Sequence, residues 1–399
     1  MSERIRFDRM ELAGSLGDLG TLLPIAIAMV LFNGLDPLGL FLSIGIFYIA
    51  AGLYFGITVP VQPMKVIGAY AIATAMSAEQ IAASTLLMGI LLLLVGLTGT
   101  IEVIRKITPK SVIRGVQLST GALLIYGGIQ FVMGTSQLQA MQHAVEPYLT
   151  IQAIGPVPIG LVIGIIAAIV TLSLLENKRA PAGLVVILGG LLLGLLFGRP
   201  MEAGSWDLDL HLPQVLPFGF PDTVDFTFAL FALVLPQLPM TLGNAVLAYT
   251  DLSKQYFGER SAKLTNIKAC VSMALANFCS FILGGMPLCH GAGGLAAHYR
   301  FGARTAGSNL IIGGLFAALA VFLGRHIINV LNLLPLSILG VLLVFAGLQL
   351  TMTIRDLESR KDYFVATLML GITLATNLAA GFIVGILVAW LLRWKKLSI

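Results

Sequence analysis

The sequence predicts an all-α polytopic membrane protein: 14 transmembrane segments in a 7+7 inverted repeat with two half-helices, segments 3 and 10. Three observations predict it. Of 399 residues, 57% are apolar and only 11% charged, with a mean hydropathy of +0.94, against about 45–50% and about 25% in a soluble domain. The apolar residues gather in runs of membrane length. Lysine and arginine collect in alternate loops. This composition excludes an ordinary cytosolic enzyme, a disordered chain and a nucleic-acid binder. The pI of ≈ 9.1 follows from basic loops beside membrane helices.

The runs fall at residues 13–31, 38–57, 64–77, 80–103, 112–133, 157–175, 182–198, 226–249, 264–283, 290–299, 305–324, 328–350, 363–376 and 378–393. A crossing needs about 20 residues. Runs 64–77 and 290–299 are short, and each follows a proline-containing stretch. With the N-terminus cytoplasmic, every Lys and Arg except Lys65, Arg199 and Arg325 falls in an inside loop, as the positive-inside rule demands. The same rule separates the last two runs at Asn377, because one long helix would strand Arg393, Lys395 and Lys396 outside. Glu202, Asp207, Asp209, Asp222 and Asp225 make the 199–225 loop acidic and place it outside. The N-terminus lacks a cleavable signal pattern, so the first span is read as retained, with both termini cytoplasmic. Cys270, Cys279 and Cys289 are too few for a disulfide framework and have no metal-ligand spacing. No cofactor is implied.

Two stretches look like counterparts. Gly17-Asp18-Leu19-Gly20 precedes Pro60-Val61-Gln62-Pro63-Met64-Lys65. Pro236-Gln237-Leu238-Pro239 precedes Met286-Pro287-Leu288-Cys289-His290-Gly291. Seven runs lie on each side of residue 225, and an odd number inserts the second half upside down. A proline-interrupted short segment at the same place in both halves points to a transporter binding site. Irregular backbone at membrane depth is tolerated only inside protein or beside a wet cavity. A half-helix starting there aims free N–H groups and partial positive charge at that cavity. Two such ends facing each other would form an anion site.

Lys65 is the only cation assigned to mid-membrane, where it costs about 2.5–3.5 kcal/mol. It either attracts an anion or pairs with Asp18, the only carboxylate assigned inside a span. Asp18 in turn is a proton-coupling candidate or simply the balance for Lys65. His290 opens the second short helix before Gly291-Ala292-Gly293-Gly294, where glycine lets a ligand approach backbone closely. It is read as an anion contact or a proton acceptor, with a satisfied core histidine as the rival. Gln62 and Gln237 either donate to oxyanion oxygens or glue helices together. Cys289 either offers its backbone or thiol to the site or packs as a small residue. Met64 is read as a backbone donor, and Thr21, Thr241 and Asn244 as lining residues.

These motifs carry a resemblance. The stretch Val59-Pro60-Val61-Gln62-Pro63-Met64-Lys65 and the longer one from Met286 to Arg304 resemble the two signature motifs of the molybdate transporter family, a branch of the sulfate-permease superfamily. Glu11 to Thr21 and Pro236 to Pro239 are similar to it too. The resemblance implies a uracil-permease-like fold. Core, or transport, elements would be residues 1–107 and 225–326; gate, or scaffold, elements would be 108–224 and 327–399. Only Leu392 to Ile399 follow the last span, so the STAS domain usual in sulfate permeases is not expected.

The implied activity is secondary active import of molybdate, a tetrahedral dianion, by alternating access of core against gate. A negative-inside membrane opposes each negative charge by about 2.3 kcal/mol per 100 mV, so coupling, most simply to protons through Asp18 or His290, is expected. The expected substrate contacts are Lys65, Met64, Gln62, Gln237, Cys289, His290, Gly291 and Thr21. Expected partners are molybdate, with tungstate or sulfate as rivals, and membrane lipid; a homodimer stays open, and nucleic acid is excluded. The expected location is a bacterial inner membrane. An anion channel of the same fold is the alternative in another class. An embedded enzyme finds only Asp18, Lys65 and His290 to work with. A nucleobase carrier would be expected to place acids at the site.

Overall fold

The computed structural model of the chain describes residues 5–101, 107–175, 177, 181–199 and 210–393. Arg4, Arg105, Lys106, Lys178, Arg179, Lys395 and Lys396 of the basic loops lie outside the described residues, as do Glu202, Asp207 and Asp209 of the acidic loop and the side chain of Arg325.

Every apolar run forms helix. The first half holds α1 (Arg9–Ser15), α2 (Leu19–Asn33), α3 (Pro37–Phe55), strand β1 (Gln62–Pro63), α4 (Lys65–Thr74), α5 (Ala78–Thr98) and α6 (Lys110–Met133). It continues with α7 (Gln137–Met141), a small hairpin of β2 (Ala153–Ile154) and β3 (Val157–Pro158), α8 (Ile159–Leu174) and α9 (Ala182–Phe197). The second half opens with the long α10 (Thr223–Ser261). Then come α11 (Asn266–Leu283), strand β4 (Leu288–Cys289), α12 (Ala292–Phe301), α13 (Ala306–Leu323), α14 (Ile327–Asn332), α15 (Leu336–Thr351), α16 (Arg360–Ala375) and α17 (Leu378–Leu391).

Local chemistry starts these helices. Asp36 accepts the N–H of Gly39 at 2.7 Å ahead of Pro37, and Asn377 accepts that of Ala380 at 2.9 Å, satisfying donors a helix start leaves orphaned. Asn377 thereby separates α16 from α17 as two helices. Glu146, fully buried in the loop before β2, accepts the N–H groups of Leu336 and Ser337, both at 2.8 Å, and so caps α15. Burial pushes its carboxyl up, against the pull of Ser337 and the backbone donors.

Seven helices among the described residues are long and apolar enough to span a membrane, and eight when α1 and α2 count as one span bent by 45°. Helices α4, α8, α9 and α17 are apolar but shorter. Two runs differ from expectation. Run 13–31 breaks at residues 16–18, and run 328–350 breaks at residues 333–335, so α14 and α15 are separate. Pro335 causes the second break, since proline disfavours helix in the residue before it.

The centre of the fold is a crossing of two extended stretches. Strands β1 and β4 pair antiparallel, Gln62 opposite Cys289 and Pro63 opposite Leu288. Each leads into a short helix, so α4 and α12 both start at this crossing. The irregular backbone is satisfied internally. Asn277 bonds both the N–H (3.1 Å) and the C=O (2.8 Å) of Leu288, and Asn309 does the same for Val59, both at 2.8 Å. That is what irregular chain within a bilayer requires.

Helices α6 and α15 cross so closely that no side chain fits between them. A Cβ on Gly121 would stand 2.6 Å from the Gly347 carbonyl oxygen, and one on Gly340 2.5 Å from that of Gly128.

Candidate functional site

A cavity of ≈ 360 Å³ reaches the strand crossing. One part of its wall is Asp18 and Thr21 at the start of α2, β1 (Gln62), α4 (Lys65) and α12 (Gly293, Arg300); the rest is lined by α8, α9 and α15. A smaller cavity of ≈ 110 Å³ continues past it, between Asn244 of α10, Gln117 of α6 and Thr353. Thr21, Lys65, Gly293, Ala346 and Gln349 line both, and so mark the junction.

Lys65 sits in the first turn of α4, half-buried, with its side chain on that junction. The alternative reading, an ion pair with Asp18, is not formed: among the described residues Lys65 has neither an ion-pair nor a hydrogen-bond partner. Asp18 is held instead by Gln62, whose Nε2 donates to both carboxylate oxygens at 2.7 and 2.8 Å. Asp18 also lies against the start of α12, where a Cβ on Gly294 would stand 2.5 Å from its Oδ2.

The two half-helix starts are not equivalent. That of α4 is occupied: the N–H groups of Val66 (2.9 Å) and Ile67 (3.3 Å) donate to Oε1 of Gln237, whose Nε2 donates to Thr241 at 2.8 Å. Gln237 is thus a helix cap, in line with the interhelical-glue reading. Two π-helical turns, Leu230–Val234 and Thr241–Ala248, flank it; such widened turns re-aim side chains and recur at functional sites. The start of α12 is open. Among the described residues nothing accepts from the N–H of Ala292, Gly293 or Gly294, and a Cβ on Gly293 would meet nothing within 4 Å.

Other candidates take different places. The Met64 N–H donates to Pro287 O at 3.0 Å, so strand pairing consumes the donor expected to face a ligand. His290 is fully buried; its Nδ1 meets Pro60 O at 2.9 Å and its Nε2 meets Ser272 Oγ at 3.1 Å. Its ring packs against Tyr249 and Phe47, at 5.0 and 4.8 Å between centroids. It braces the crossing and does not line either cavity. The Cys289 thiol donates to Pro63 O at 3.7 Å within the strand pair. Gly291 caps α12 in extended backbone with Gln62 Oε1 where a side chain would go.

A family model described as "Molybdate transporter of MFS superfamily" matches residues 10–124 and 229–350. The chain belongs to the molybdate transporter family. It is therefore a multi-pass membrane transporter and not an enzyme. "Molybdate transporter 2" of Arabidopsis thaliana is 31% identical over 97% of this chain and 88% of its own length. "Molybdate transporter 1" of Chlamydomonas reinhardtii is 30% identical over 94% and 90%. The fold of this molybdate-transporter-family member is that of known anion carriers. The transmembrane domain of the cyanobacterial bicarbonate transporter BicA superposes with a TM-score of 0.65 at 16% identity, over 97% of this chain and 98% of that one. Murine Slc26a9 in its inward-facing state superposes with 0.68 at 14%, over 100% and 70%.

Gln117 and Gln349 escaped the sequence reading. Their signal was weak, because each of the apolar runs 112–133 and 328–350 holds further amides, Gln130 in the first and Asn329 and Asn332 in the second.

Proposed function

We propose that this protein imports molybdate by alternating access, with the junction of the two cavities as the substrate site. The observation that carries the reading is an unpartnered lysine beside an open helix start, at membrane depth, in a molybdate-transporter-family chain. Lys65 supplies net charge, and the open start of α12, which meets both cavities at Gly293, supplies directed donors. Thr21 and Asn244 add neutral ones. Gln62, Gln237, His290, Cys289, Met64 and Gly291 act one step back, fixing the crossing from which both helices start.

The proposed architecture is 14 spans in two inverted sets of seven. Residues 1–107 and 225–326 form a core, and 108–224 and 327–399 a gate, with both termini cytoplasmic. The cavity runs along the boundary between these two sets, as expected where one body moves against the other.

Proton coupling follows from the charges. Asp18 places a negative carboxylate beside the open start of α12, where a dianion would sit. Protonating Asp18 removes that repulsion, and by reciprocity a bound dianion favours the proton. Each proton carried also removes a charge that a 100 mV potential opposes by about 2.3 kcal/mol. Asp18 is the coupling residue in this scheme; His290, with both ring nitrogens engaged, is not.

Binding of molybdate, tungstate and sulfate to purified protein across pH tests the substrate and the coupling together. Molybdate is expected to bind more tightly as pH falls, and Lys65→Ala is expected to abolish binding while leaving the size-exclusion profile intact. Undiminished binding by Lys65→Ala would refute the charge argument. Displacement of molybdate by equimolar sulfate would replace the substrate by the wider oxyanion class.

A further inference from the structure

Resting on the reading that this junction holds an oxyanion, we infer that Gln349 of α15 is a substrate-binding residue, reaching the anion from α15 as Lys65 does from α4. Helix α15 turns Leu342, Phe345, Ala346 and Gln349 to the cavity, a stripe at helical spacing. All but the last are apolar. Gln349 is exposed although it belongs to a membrane span, and it lines both cavities at their junction.

The neighbouring polar side chains bond elsewhere in whole or in part, Gln117 through its oxygen alone. Thr171 donates to Ala167 O at 2.7 Å. Gln117 Oε1 accepts from Arg114 Nη1 at 2.7 Å and from Thr353 Oγ1 at 3.0 Å. Asn177 has a partner as well. Gln349 has none among the described residues. An amide kept in an apolar stripe at membrane depth needs water or a ligand to bond.

The chemistry fits a tetrahedral dianion. A glutamine amide offers two N–H donors and no charge. It gives direction without a second cation, which would hold the anion against release. Lys65 and the start of α12 grip from core elements and Gln349 from a gate element. Parting the two therefore breaks contacts on one side only, and release is tied to the motion of α15.

The test is molybdate binding to purified full-length protein by calorimetry, on wild type, Gln349→Leu and Gln349→Glu. Gln349→Leu is expected to weaken binding about tenfold, or about 1.4 kcal/mol. Gln349→Glu is expected to weaken it more than a hundredfold at pH 7.5, because it sets a like charge against the anion. The deficit should shrink as pH falls, because a protonated carboxyl is again a neutral donor. Lys65, Asp18 and Arg300 line the same cavity, and Lys110, Arg114 and Asp356 sit at the adjoining end of α6. Taking each variant relative to wild type at the same pH cancels their titration. A merely structural glutamine would show no such recovery. Wild-type affinity of Gln349→Glu at pH 7.5, or a loss that ignores pH, overturns the inference while leaving the proposed function standing. A wild type that binds neither molybdate nor sulfate overturns both.

Discussion

At the scale of single residues, the site depends on which donors are already engaged. Gln237 holds two amides of α4, and Gln237→Leu would orphan both Val66 and Ile67 N–H groups in a dry environment. The expected cost is about 1–3 kcal/mol, read as a lower melting temperature of the purified protein. Gly294 has no room for a methyl, with Asp18 Oδ2 at 2.5 Å and Gln62 Nε2 at 2.8 Å from a Cβ. Gly294→Ala should therefore push Asp18 off Gln62 and reduce uptake more than tenfold in a vesicle assay, whereas Gly243→Ala, where a Cβ meets nothing within 4 Å, should not. Lys65 was legible in the sequence because a cation in an apolar run needs a reason. The commitment of Met64 to Pro287, and of His290 to Pro60 and Ser272, was not legible. Both depend on the register of two strands more than 200 residues apart in the chain, which no local pattern encodes.

At the scale of elements, hydropathy was a sound guide to helices and a poor one to their breaks. All the apolar runs became helix because a backbone in lipid must satisfy its own hydrogen bonds. The bend between α1 and α2 went unread although Gly17 and Asp18 stand at it, and the break before α15 went unread because leucines continue up to Pro335. Proline at 335 was the available signal for the second. The two short helices were legible from length and flanking proline, and their joint start at β1 and β4 gives that reading its geometry. Close helix packing supplies the prediction at this scale. Gly347 of α15 lies on α6, with a Cβ 2.6 Å from the Gly121 carbonyl oxygen, whereas a Cβ on Gly189 of α9 would meet nothing within 4 Å. Gly347→Leu should separate α6 from α15 and abolish the monodisperse size-exclusion peak; Gly189→Leu should preserve it. Equal behaviour of the two would mean that this crossing does not limit folding.

At the scale of the whole molecule, the question is which side of the membrane the cavity faces. Its lining includes Arg300 and Phe301 at the end of α12 and Pro181 and Ala182 at the start of α9. These neighbour Arg304 and the loops that the charge pattern assigns to the inside, so the proposed orientation predicts an inward-open state. The division into core and gate came from family resemblance and not from any periodicity, because apolar runs look alike in both. Access gives an independent check. Ala297 lines the cavity one turn above Arg300. On a background with Cys270, Cys279 and Cys289 replaced by serine, Ala297→Cys should react with a membrane-impermeant maleimide in inside-out vesicles and not in right-side-out ones. Molybdate should slow the reaction by occupying the junction deeper in. Labelling from the outer side alone would reverse the assigned orientation. Equal labelling from both sides, with molybdate protecting neither, would describe a continuous pore and favour a channel over a carrier.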